Sequence, residues 1–63
     1  MQLKPQQLQT IKRLLKDAHG LIADSQAIFY VAGAADEAER LKDIVEAIVN
    51  ELESVDRLLT TQP

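Results

Sequence analysis

The chain has no cysteine and no tryptophan, and its scarce residues are one histidine, two aromatics (Phe29 and Tyr30), two glycines and two prolines. Without cysteine there is neither a disulfide framework nor a thiolate zinc site. So little glycine and proline argues against a disordered linker and against a turn-rich β protein. No apolar run approaches the roughly 20 residues of a membrane-spanning helix, and no charged start followed by an apolar stretch marks a signal peptide. The 63 residues make one small domain. That is short of the roughly 70–80 that usually supply a self-sufficient core, so a partner subunit is expected. These absences exclude most enzymes, disulfide scaffolds and membrane proteins. What remains, 46% apolar and 27% charged, is the balance of a globular helical module.

Punctuation falls in the middle of the chain. Ala32-Gly33-Ala34-Ala35-Asp36 interrupts two long periodic segments. Gly33 suits the left-handed position just past a helix end. Asp36 followed by Glu39 reads as a capping box, and Glu37 and Glu39 set negative charge at the positive end of a helix dipole. Pro5 suits a first helical turn, where a missing N–H is no loss. The expected order is helix one over about 5–32, a turn at 33–35, helix two over about 36–60 and a frayed tail at 61–63. Gly20 weakens helix one locally, and Ala27-Ile28-Phe29-Tyr30-Val31 has strand-like composition. The periodicity keeps phase across both, and a lone strand has no partner. One helix is expected, with a kink at Gly20 left open.

The periodicity itself is a heptad. Leu8, Ile11, Leu15, Ala18, Ile22, Ser25, Phe29 and Ala32 alternate spacings of three and four, as do Ala38, Leu41, Val45, Ile48, Leu52, Val55 and Leu59. Such a seam predicts coiled-coil-like packing. Folded back antiparallel, the two seams match layer by layer, with Leu8 near Leu59, Leu15 near Leu52 and Ile22 near Val45. Small residues face large ones, as interdigitation requires.

A second apolar stripe runs along one flank: Leu14, Leu21 and Ile28 on helix one, Ile44 and Leu58 on helix two, with Leu3, Val31 and Ala47 nearby. The other flank carries Lys12, His19, Gln26, Lys42 and Asp56, with Val49 as the apolar exception. An apolar flank of this kind marks an interface. The fold expected is all-α: an antiparallel helical hairpin that dimerises into a four-helix bundle through Leu14, Leu21, Ile28, Ile44 and Leu58.

No catalytic constellation is visible, so no enzymatic activity, cofactor or metal is expected. Ser25 falls on the seam, where its hydroxyl can bond a carbonyl one turn back. His19 has no cysteine or serine partner that the hairpin brings near, and Asp17 lies on another face. A structural or surface role for His19 outweighs a ligand role.

Charge is asymmetric. Residues 1–19 carry Lys4, Lys12, Arg13 and Lys16 against Asp17, a net of +3, whereas residues 36–57 carry eight acids against Arg40, Lys42 and Arg57, a net of −5. The antiparallel hairpin sets the basic end of helix one beside the acidic end of helix two, with Lys12 facing Asp56. This complementarity fixes register. A sharper reading is nucleic-acid binding by Lys12, Arg13, Lys16 and His19, doubled by dimer symmetry. In length and expected architecture the chain resembles the plasmid-copy-number Rop group. That resemblance implies a dimeric hairpin bundle binding paired RNA loops through helix one and its symmetry mate. The overall charge of −3 weighs against this, since phosphate recognition normally shows a positive excess.

The reading preferred is protein binding: a small non-enzymatic regulator or adaptor, of the co-chaperone or inhibitor type, homodimeric and cytoplasmic. Its candidate partner-facing residues are Tyr30 and Val31 by the turn, exposed Val49, and the acidic ridge Glu46, Glu53 and Asp56. Tyrosine is favoured at binding hot spots, although Tyr30 also fits as a cover for the bundle end. A membrane-surface role is disfavoured, because the polar face of helix two is acidic. A pure oligomerisation module is the third reading.

Overall fold

Pro5 opens the first helix. In the computed structural model, which describes residues 3–61, helix α1 runs Pro5–Val31 and helix α2 runs Ala35–Thr61. Lys4 precedes α1 in extended backbone (φ −74°, ψ 149°). Its backbone N–H donates to Gln7 Oε1 at 2.8 Å, the returning half of a capping box. Pro5 stands where its missing N–H leaves nothing unpaired. The helix continues without interruption through Gly20 and through the β-branched, aromatic segment that follows.

The connection is three residues, Ala32–Ala34, one earlier than the 33–35 expected. Gly33 has φ +83°. Its N–H donates to the Tyr30 carbonyl (3.1 Å), and the Ala34 N–H donates to the Phe29 carbonyl (2.9 Å). These are the two bonds of a Schellman motif, which uses the carbonyls that α1 leaves orphaned. The Ala34 carbonyl then accepts from the Ala38 N–H at 3.1 Å and starts α2. One residue therefore closes the first helix and opens the second.

That geometry corrects the expected cap. Asp36 lies inside the first turn of α2, and Glu39 bonds across to α1 instead of reaching back. With the Ala34 carbonyl already in place, α2 begins at Ala35. Asp36 and Glu37 instead favour the helix through charge at its positive end. At the far end Thr61 is helical, contrary to the expectation of a frayed 61–63. The Thr60 and Thr61 hydroxyls donate to the carbonyls of Arg57 (2.9 Å) and Leu58 (3.2 Å), satisfying last-turn acceptors. Gln62 and Pro63 lie outside the described residues.

The two helices pack along their length into a rod of 48 × 17 × 15 Å. The α2 seam lies as expected: Ala38 and Val55 are buried, and Leu41, Val45, Ile48, Leu52 and Leu59 are half-buried. The α1 seam holds as expected at Leu8, which is buried, and at Ile11, Leu15, Ala18, Ile22 and Phe29, which are half-buried, and departs at two positions. Ser25 and Ala32 are exposed, and Gln26 takes the inward place. The Ser25 hydroxyl does bond one turn back, to the Leu21 carbonyl (2.9 Å), but from the outside. The cause is helical drift. Gln26 is eighteen residues from Leu8, five full turns at 3.6 residues each, whereas a heptad position returns inward only if supercoiling underwinds the helix. Ala32 is lost from the seam because it is the C-cap.

Only Leu8, Ala38 and Val55 form the buried core among the described residues. Burial sits along the line between the helices, and both broad faces of the rod are open.

Candidate functional site

Lys12, Gln26 and Tyr30 of α1 each bond across to α2 and set the register. Lys12 Nζ lies 2.8 Å from Asp56 Oδ1. Gln26 Nε2 donates to the Ala38 carbonyl at 3.3 Å. The Tyr30 hydroxyl donates to Glu39 Oε1 at 2.8 Å. The Lys12–Asp56 pair is the one expected from the antiparallel layering. The other two depend on the drift of α1, which turns Gln26 and Tyr30 toward α2.

The expected interface residues lie together on one open flank. Leu14, Leu21 and Ile28 are 56%, 69% and 68% exposed, and Ile44 and Leu58 are 46% and 45% exposed. Leu3 belongs to the same flank at the open end of the hairpin, and Val31, at 90%, is the most exposed large apolar side chain described. A single hairpin satisfies none of these. Close to the turn, Ala27, Ile28, Val31 and Ala32 surround a shallow, almost wholly apolar depression of about 330 Å³. Sequence reading singled out Ile28 and Val31 but not Ala27 and Ala32. Periodicity carries no signal for a hollow that forms where small residues flank large ones at a helix end.

Of the other partner-facing candidates, Val49, Glu46 and Glu53 are exposed on α2. Tyr30 is half-exposed and its hydroxyl is committed to Glu39. That hydrogen bond, with partial burial and the negative charge of Glu39, holds the phenol above its ordinary value near 10. Tyr30 therefore ties the two helices together beside the turn while leaving a ring edge to solvent.

The basic candidates are brought partly together. Gln9, Lys12, Arg13 and Lys16 line a shallow polar depression of about 240 Å³ on α1. Lys12 is tied to Asp56, while Arg13 and Lys16 are exposed, and His19 is half-buried one turn further on. No group of three or more histidine, aspartate or glutamate side chains among the described residues is placed to hold a metal ion. Among the described residues no helix is long and apolar enough to cross a membrane.

Comparison with protein-family models, with curated proteins and with solved structures yields no match to this chain.

Proposed function

We propose that this chain is a non-enzymatic binding protein that homodimerises through its apolar flank into a four-helix bundle and acts on a second protein as a regulator or adaptor. The observation that carries the reading is the flank itself. Five large apolar side chains stand open on one side of a hairpin whose described core holds only three buried residues. A patch of that kind on so small a fold is an interface awaiting its other half. The surfaces then left for a partner are the turn end around Tyr30 and Val31, outside the Ile28 contact, and the Val49 face with Glu46 and Glu53. A cytoplasmic setting suits a cysteine-free chain.

Nucleic-acid binding is the alternative, and the Gln9–Lys12–Arg13–Lys16 depression favours it. Dimer symmetry would double Arg13 and Lys16 into a basic strip, though beside an acidic α2.

Affinity capture of the tagged chain from its native lysate, with and without nuclease, separates the two. One protein recovered at near-stoichiometric yield in both arms supports the regulator. Recovery that collapses with nuclease, or that brings down RNA, supports the alternative. Sedimentation at micromolar concentration tests the dimer: a folded monomer rejects it.

A further inference from the structure

The flank carries more than apolarity, and its pattern states what covers it and in which direction. On α1, Leu14 and Ile28 stand seven residues either side of Leu21. On α2, Glu51 occupies the heptad line between Ile44 and Leu58, and Arg40 precedes Ile44 by one turn. About the midpoint between Val45 and Glu46 four flank positions of α2 pair in placement, Ile44 with Ala47 and Arg40 with Glu51 of opposite charge, while Leu58 lies beyond the paired stretch. The two centres coincide along the rod. Counted from the Lys12–Asp56 pair, Leu21 stands level with Ala47, so the centres differ by roughly 2 Å of helix rise.

Two observations say that the cover is another copy. Among the described residues, the ion pairs are Lys12–Asp56 and Arg40–Glu37, so Glu51 has no cation within its own chain, and the exposed Arg40, held only by Glu37 of its own first turn, would be shared between Glu37 and Glu51 of the second copy. A compact monomer of 7.0 kDa exposes about 4,000 Å², while this chain exposes 4868 Å². The excess, roughly 800 Å², is what each partner of a standard interface buries.

We infer that a second copy covers this flank with its turn at the opposite end, about a two-fold axis at the level of Leu21. This rests on the homodimer reading above and adds its direction and register. Helix α1 lies on α1 of the second copy, Leu21 against Leu21 and Leu14 against Ile28. Helix α2 lies on α2, and Arg40 of each copy meets Glu51 of the other, two ion pairs from one symmetric contact. The reverse arrangement, with both turns at one end, lays α1 on α2 of the second copy. That sets Ile28 against Arg40 and Glu51 level with Asp17, a charge against an apolar side chain and two like charges together.

The absence of cysteine makes the test clean, because a single introduced thiol has no competitor. Leu21→Cys alters an exposed side chain, and circular dichroism verifies that the helices persist. Under mild oxidation, L21C should cross-link to itself as a covalent dimer, and L14C should cross-link with I28C when the two are mixed. Separately, R40E and E51R should each raise the dimer dissociation constant by roughly tenfold, and the double variant should return it to near the parent value. If L21C instead cross-links only when mixed with A47C, the two turns lie together: the inferred direction is overturned and the homodimer stands. If charge reversal at both positions fails to restore association, the Arg40–Glu51 pairing is overturned. A folded monomer by sedimentation overturns both this inference and the dimer.

Discussion

Lys12 Nζ and Asp56 Oδ1 meet at 2.8 Å across the open end of the hairpin, with Lys12 71% covered and Asp56 about half-exposed (side-chain exposures of 29% and 53%). The pair joins the basic part of α1 to the acidic part of α2, and so opposes any slip of one helix against the other.

Its energetic worth is modest. A water-exposed pair contributes no more than about 1 kcal/mol. K12E and D56K should each lower the unfolding free energy by about that much, since each adds repulsion. The double swap should recover most of the loss. Chemical denaturation of the four proteins at low salt supplies the cycle, and additive losses would show that the pair does not set register.

Tyr30 and Glu39 form the corresponding tie at the turn. The neutral phenol donates the hydrogen bond, so folding favours the protonated form and the folded pKa lies above the unfolded value near 10. The stabilisation is complete below pH 10 and is lost as pH rises through the raised value. Lysines titrate in the same range, so the quantity to follow is the difference in melting temperature between the parent and Y30F. That difference should be constant from pH 7 to 9 and should shrink above about pH 10. A difference that stays flat to pH 12 would mean the bond does not form in solution.

The two glycines should respond in opposite directions. At Gly20 a Cβ meets nothing within 4 Å, so Gly20→Ala should stabilise by about 1 kcal/mol through helix propensity. Gly33 also has open space around it, but its φ of +83° strains any L side chain. Gly33→Ala should destabilise by about 1–2 kcal/mol. Thermal melts at matched concentration read both, and stabilisation by both substitutions would exclude the Schellman turn.

The core should be sensitive out of proportion to its size. Leu8 and Ala38 are fully buried, one at each end of the seam. Leu8→Ala should cost about 2–5 kcal/mol by leaving a cavity, and Ala38→Leu about 1–3 kcal/mol by overpacking. Leu21→Ala, on the open flank, should leave the hairpin's helices intact and weaken association instead. Circular dichroism beside sedimentation separates these outcomes.

Much of the hairpin was legible in the order of the residues. The seam of α2 runs true from Ala38 to Leu59 because each position is apolar and nothing competes for it. The turn was legible because Gly33 alone in that stretch adopts a left-handed backbone at no cost. Asp36 misled as a cap because a backbone carbonyl, that of Ala34, was available two residues earlier, and carbonyls carry no sequence signature. Ser25 misled as a seam residue because the heptad pattern assumes an underwound helix. Gln26, five full turns from Leu8, takes the inward place instead. The apolar stripe Leu14–Leu21–Ile28 was visible as a period, but its exposure was not, since periodicity does not say whether a stripe faces a neighbour or water.

Local chemistry, through apolar spacing and the glycine at the turn, determined that the chain makes two helices joined by a tight connection. Those choices depend on neighbours within a turn or two, where sequence is a complete description. Tertiary structure decided which residues close the hairpin at its ends, that Gln26 and not Ser25 faces inward, and that one flank stays open. These follow from the relative twist and spacing of two whole helices, quantities that no short segment of the chain contains.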